Sequence, residues 1–306
     1  MSDTILHHYD LSPYAEKIRL VFGLKGLAWR SVQIPMIMPK PDLMPLTGGY
    51  RRTPVLQIGA DIYCDTERIA AEIERRHQAP TLFPAGGYGL SAVFGNWVAS
   101  SLFQPAVRYA LGVNADKMPM EFFKDRAAMR GTEPNIERSK ADAPKARNRL
   151  RTELEWLESL LGDGRPYLLG DKPGLADCSV FHCAWFVRRW GPPVSEVLAS
   201  YGRILGWMGR MDAVGHGRRT EMTSQEALDV AKASHPDVTP LADPGDAEGF
   251  RPGDKVSVTE EDTGRDPVVG ELVRLSANEL ALRREHPAVG TVVVHFPRVG
   301  YNLRRA

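Results

Sequence analysis

Pro54 opens a short apolar run, Val55-Leu56-Gln57-Ile58, which a glycine breaks before a second run, Asp61-Ile62-Tyr63-Cys64. Proline is tolerated at the first residue of a strand, where it removes a single ladder donor. Ile58, Gly59 and Ala60 read as the turn, with glycine supplying the positive φ that a two-residue hairpin loop needs. The segment therefore predicts a hairpin over 55–64 that ends on the acid–hydroxyl pair Asp65-Thr66. Three kinds of polar group then lie side by side: the backbone beside Pro54, the Arg51/Arg52 pair, and Asp65/Thr66 at the next helix start. That set suits a short zwitterionic peptide.

The flanking pattern extends this unit on both sides. Residues 4–9 read as a strand and Pro13–Leu24 as a helix, with Ile18, Val21 and Phe22 on one face. Ser12 before Pro13 is a helix start: serine as N-cap and proline at the first helical position. Trp29–Gln33 reads as a second strand, 35–48 as a Pro- and Met-rich loop, and Thr66–Arg76 as a helix with Ile69, Ala70 and Ile73 inward. Residues 78–88 are a linker by proline and glycine content. From about 89 to 231 the pattern is helical. Leu150, Leu154, Leu157 and Leu161 form a stripe in a helix predicted from Ala143, and 113–142 predicts one short helix between loops broken by Pro119, Gly131 and Pro134. Thr223-Ser-Gln-Glu226 is a capping box opening a last helix.

A second Pro-, Asp- and Gly-rich linker spans 235–253, and beyond it the apolar period falls from 3.6 to 2. Four or five short strands follow, a unit near the lower size limit for independent folding. The predicted fold class is thus multidomain α+β/α: a thioredoxin-like domain over 1–78 from its β-α-β then β-β-α order, an all-helical domain over 88–234, and a small all-β unit over 245–306.

Composition narrows the function classes. Hydrophobic residues make up 43% and charged residues 25%, with net charge +1, so no bulk field draws the chain to nucleic acid or anionic membrane. The pairs Arg283/Arg284 and Arg304/Arg305 do not alter this, because 240–306 holds nine Lys/Arg against eleven Asp/Glu, a net of −2. No apolar run approaches the ~18 residues of a membrane span. The N-terminus lacks the basic and apolar regions of a secretory signal. Cys64, Cys178 and Cys183 cannot all pair and show no usual zinc spacing, so reduced thiols and a cytoplasmic location are expected. His7 and His8, adjacent on a strand, point to opposite faces and do not chelate together.

Several motifs in order over the first ~235 residues resemble the glutathione transferase family. Ser-Pro-Tyr-x-x-Lys-Ile-Arg at 12–19 resembles the first-helix entry of its serine-type classes, in which the serine lies beside the glutathione sulfur. Arg51-Arg52-Thr53-Pro54-Val55-Leu56 resembles the family's basic segment around a cis proline. By that resemblance Thr53 pairs with the cysteinyl backbone of glutathione and Arg52, with Lys40 as a further candidate, meets the glycyl carboxylate. Asp65-Thr66 stands where the family has Glu-Ser and holds the γ-glutamyl end. Thr81-Leu-Phe-Pro resembles the domain linker, and Pro173-Gly-Leu-Ala-Asp177 the folding signal of the helical domain. Asp for Glu shortens the acid by one methylene, and Gly174 removes half of a reciprocal capping box.

The resemblance implies glutathione as co-substrate, a small apolar electrophile as partner, and a homodimer formed through the face holding the second helix of the thioredoxin-like domain. Ser12 is the leading catalytic candidate, with Tyr9 and Tyr14 as rival hydroxyl donors. Tyr109, Met118, Met120, Phe122 and Phe123 are candidate lining for the electrophile. Cys64 reads as a buried apolar side chain. Two alternatives stay open: a glutathione-dependent peroxidase, isomerase or lyase, and a non-catalytic scaffold whose C-terminal β unit binds a partner. Deleting 245–306 is expected to leave a folded, glutathione-binding protein.

Overall fold

The computed structural model describes residues 3–84, 87–262 and 266–306, so Ala85 and Gly86 of the predicted linker lie outside the described residues. The first unit comprises β1 (Thr4–His8), α1 (Pro13–Leu24), β2 (Ala28–Gln33), α2 (Met44–Thr47), β3 (Val55–Ile58), β4 (Asp61–Cys64) and α3 (Thr66–Arg76). β1 pairs parallel with β2 and antiparallel with β3, which pairs antiparallel with β4: the thioredoxin-like arrangement. α1 begins where Ser12 Oγ accepts the Ala15 N–H at 3.2 Å. The β3–β4 turn rests on Gly59 at φ +62°. The predicted loop over 35–48 contains α2, one helical turn that ends on Gly48 at φ +73°.

The helical unit runs through α4 (Gly87–Trp97), a π turn over Val98–Leu102, α5 (Phe103–Val113), a 3-10 turn over Ala115–Lys117, α6 (Met120–Arg130), α7 (Ile136–Leu160), α8 (Leu175–Arg189) and α9 (Gly202–Asp212). α7 starts seven residues before its predicted Ala143, because Asn135 Oδ1 accepts the Arg138 N–H at 2.8 Å and caps it there. Its first turns lie against α5 at Gly112, where an added Cβ would sit 2.4 Å from the Ser139 carbonyl oxygen. Close packing thus carries the helix through Pro144, against local preference. Leu150, Leu154, Leu157 and Leu161 are buried as the stripe predicts.

In α8, Asp177 accepts from the Gly174 N–H at 3.0 Å, the Leu168 N–H at 2.9 Å and the Trp207 indole at 2.9 Å. Glycine at 174 has a steric reason. A Cβ there would stand 2.8 Å from both the Leu82 carbonyl oxygen and Pro84 Cδ, so a Ser or Thr cap would collide with the linker. Among the described residues no helix is long and apolar enough to cross a membrane.

After α9 come β5 (Arg218–Glu221), α10 (Ser224–Lys232), β6 (Lys255–Glu260), β7 (Val268–Leu275), β8 (Leu280–His286), β9 (Gly290–Phe296) and β10 (Tyr301–Arg305). The capping box at Thr223/Glu226 forms at the head of α10. The late strands continue the thioredoxin-like sheet: β9 adds parallel to β4, with Ile62 opposite Val294, and β5 adds parallel to β2. One ten-stranded sheet results, in the order β10-β6-β7-β8-β9-β4-β3-β1-β2-β5.

Strand alternation sends side chains to two cores. Leu6, Leu56, Ile58 and Tyr63 face α1, α3 and the helical unit. Ile5, Val32, Val55, Ile62 and Cys64 join Val256, Leu272, Leu282, Val294 and Phe296 in a second core. At the β4–β9 seam, buried His295 lies between Asp61 at 3.0 Å and Glu279 at 2.8 Å, stacked on Tyr63 at 4.4 Å. Burial alone would lower the His295 pKa, but the two carboxylates outweigh it and raise it.

Candidate active site

The N-terminus of α1 brings Tyr9 and Ser12 together. Ser12 is buried and its N–H donates to the Tyr9 carbonyl at 3.0 Å. The Tyr9 hydroxyl faces both Ser12 and Arg126, and burial raises its pKa against the pull of that guanidinium. Ser12 Oγ accepts from the helix, and its hydroxyl lies against that of Tyr9. Tyr14 instead packs edge-on against Phe103 at 4.9 Å and beside His182 at 4.9 Å, at the junction of the two units, and its phenol pKa is driven upward by burial.

A second group holds the loop before Pro54, whose peptide bond is cis. Lys40 is buried and donates to the Arg51 carbonyl at 2.8 Å and to Thr53 Oγ1 at 3.1 Å. Burial, with Arg126 and Arg51 nearby, lowers its pKa to about 8. Arg51 pairs with Asp125, which also accepts the Met38 N–H at 2.9 Å. Arg126 donates to Asp125 at 2.9 Å and to the Met36 carbonyl at 3.3 Å. These bonds fasten α6 to the thioredoxin-like unit, with Arg126 over the Phe122 ring and within reach of the Tyr9 hydroxyl.

Arg52 and Asp65 meet the C-terminal segment. Arg52 pairs with Asp262 and, at 3.4 Å, with Glu260. Asp65 caps α3, accepting the Glu67 N–H at 3.0 Å through one oxygen and the Tyr301 hydroxyl at 3.1 Å through the other. Burial raises its pKa. At φ +72° it is the one non-glycine residue with positive φ among the described residues, a conformation that carries strain and clusters at ligand sites. Thr66 Oγ1 accepts from buried Lys17 at 3.2 Å, and Lys17 also pairs with Glu67 at 2.5 Å.

The structure therefore gathers Tyr9 with Ser12, Lys40 with Thr53 and Pro54, and Arg52, Asp65 and Thr66 around the hairpin. Sequence reasoning missed Asp125, Arg126, Glu260, Asp262 and Tyr301. The first two lie on α6, where the sequence predicts a short helix between Pro119 and Gly131 but assigns it no role in the site. Of the proposed apolar lining, Tyr109, Phe122 and Phe123 are buried and Met120 is exposed. Cys64, Cys178 and Cys183 are free and buried, and burial pushes each thiol up. His7 bonds Gln57 at 2.8 Å and His8 bonds Ser31 at 3.0 Å.

Residues 6–81 match the pattern of the glutathione S-transferase N-terminal domain, and residues 126–210 that of the C-terminal domain. A GST-like protein from Pseudomonas syringae is 39% identical, with TM-score 0.79, over 99% of this chain and 100% of its own. The chain belongs to the glutathione S-transferase family. The fold is shared with poplar glutathione transferase F1, at 12% identity and TM-score 0.55 over 69% of this chain and 93% of that one. A Rhodospirillum rubrum glutathione S-transferase is 19% identical, with TM-score 0.52, over 69% of this chain and 88% of its own. No curated protein matches the chain.

Proposed function

We propose that this chain binds reduced glutathione between its thioredoxin-like and helical units and activates the thiol for attack on a small electrophile. The convergence of Ser12, Tyr9 and Arg126 at the N-terminus of α1 carries this reading. A free thiol of pKa ~8.5 is a few per cent thiolate at pH 7, and lowering it to about 6.5 takes ~2.7 kcal/mol in favour of the anion. A helix N-terminus contributes roughly 0.3–2 kcal/mol and one hydrogen bond to a charged group ~1.5–3 kcal/mol. Ser12 at the head of α1 thus meets the requirement, with Tyr9 or Arg126 in reserve. Thr53 and Pro54 would present backbone to the cysteinyl unit. Asp65 and Thr66 would take the γ-glutamyl end, and Arg52 with Lys40 the glycyl end. A homodimer in the reducing cytoplasm belongs to the same reading, and the three buried free thiols suit such a compartment.

A specific observation favours a second reading. Arg52 already pairs with Asp262 and Glu260, and Asp65 with Tyr301. A scaffold that binds glutathione weakly would have its peptide-binding groups engaged internally in this way. Calorimetric titration with reduced glutathione at pH 7, with thiolate absorbance followed against pH on the same sample, decides between them. Micromolar-to-millimolar binding with a depressed thiol pKa supports the transferase. No binding at several millimolar supports the scaffold.

A further inference from the structure

One hydroxyl of the C-terminal unit reaches the head of α3. Tyr301, the first residue of β10, is buried, and its ring lies against Phe296 of β9 at 5.3 Å. Phe296 in turn meets Tyr50, the neighbour of Arg51 and Arg52, at 5.8 Å. Packing thus fixes the phenol, which donates to Asp65 Oδ2 at 3.1 Å. The other carboxylate oxygen accepts the Glu67 N–H at 3.0 Å. Asp65 itself is half-buried, and among the described residues it has no ion pair. Lys17, the cation that meets Thr66 beside it, is paired with Glu67 instead. Losing hydration without gaining a cation disfavours a carboxylate's charge, and donated hydrogen bonds restore it. Burial accordingly raises the Asp65 pKa, while the bonds from Glu67 and Tyr301 oppose the rise. An ionised carboxylate has about four acceptor sites, so two hydrogen bonds leave others for a ligand's N–H groups. The result is an aimed anion, held at φ +72°, that lacks a cation.

We propose that Tyr301 is a positioning residue of the glutathione site: its hydroxyl, carried in by the C-terminal strands, aims Asp65 at the ammonium of the γ-glutamyl end. This rests on the glutathione-transferase reading. It makes the added strands part of the ligand site. The Tyr301–Asp65 contact, which the scaffold reading counts as occupancy, becomes preparation for the peptide.

Tyr301→Phe tests this, because it keeps the ring against Phe296 and removes only the hydroxyl. Calorimetric titration with reduced glutathione should show affinity about tenfold weaker, the size of one hydrogen bond to a charged group. Glutaryl-cysteinylglycine, which is glutathione without its ammonium, reports whether the loss lies at that end. Its affinity should change by less than about twofold in the same variant. A second measurement uses the Asp65→Asn background, which preserves a capping side chain at α3. There Tyr301→Phe should weaken glutathione by less than about twofold, since the charge it serves is gone. Unchanged glutathione affinity in Tyr301→Phe overturns the inference and leaves the transferase reading standing. Equal weakening of the two peptides, or an equal loss in the two backgrounds, makes Tyr301 a packing residue only and also overturns it. Native protein that binds no glutathione at several millimolar removes the transferase reading and the inference with it.

Discussion

Truncation at residue 244 removes β6–β10 and should unfold the protein, contrary to what the sequence alone leads one to expect. The last sixty residues share a core with the first unit. Leu43, Leu46, Val55 and Ile62 are each no more than 1% exposed and lie in one cluster with Val294, Leu282 and Phe296. Full exposure of such a side chain costs about 1.5–3 kcal/mol. If these four become only half exposed, the loss is about 3–6 kcal/mol. Tyr50, which meets Phe296 at 5.8 Å, and the bared edge of β4 add to it. The sum is comparable to the about 5–15 kcal/mol by which domains are stable at all. Urea unfolding of the 1–244 fragment, followed by far-ultraviolet circular dichroism, would check this. In the full chain, Val294→Asp should cost at least about 3 kcal/mol by burying an unpaired charge in the same core. A fragment that unfolds cooperatively within about 1 kcal/mol of the full chain would refute the reasoning and restore the C-terminal strands to independence.

Three other outcomes are expected. Ser12→Ala should raise the pKa of glutathione's bound thiol by about 1–2 units, the worth of one hydrogen bond to an anion. Tyr9→Phe should change it less, and the reverse order in thiolate absorbance would move the catalytic role to Tyr9. Asp177→Ala strands two backbone N–H groups and the Trp207 indole, so denaturant unfolding should register a loss of about 3–6 kcal/mol. The seam histidine gives a pH dependence. The pKa of His295 is higher folded than unfolded, so its contribution is complete below the unfolded value of about 6.5 and fades as pH rises through the folded value. Between those two values stability should fall more steeply with pH in the native protein than in His295→Gln; equal slopes would show that the two carboxylates do not hold the imidazolium.

Local chemistry made much of the fold legible. Ser12-Pro13, Gly59 and Thr223-x-x-Glu226 each fix an element end through groups within a few residues, and those boundaries agree with the structure. The misses are decided at long range. β5 is Arg-Arg-Thr-Glu, exposed on all four side chains, and is a strand only because β2 offers it an edge. The run of α7 through Pro144 depends on Gly112 of another helix, although its start has a local cap in Asn135. Tyr301 and Asp262 reach Asp65 and Arg52 across more than two hundred residues, with no periodicity to announce it. The site residues visible in sequence were those carried by one local motif; the partners that set their charge came from elsewhere in the chain.

The β4–β9 pairing also bears on how the chain emerges during synthesis. Asp61 and His295 are 234 residues apart. At about 5–20 residues per second, roughly 10–50 s pass between their appearances. Throughout that interval β4 presents an open edge, with Ile62 and Cys64 uncovered beside it, and an open edge is a template for pairing with other chains. The nascent protein thus has an obligatory waiting period in which its aggregation hazard is set by translation speed near the 3′ end of the message. Slowing elongation there should lower soluble yield without altering a single residue of the finished protein.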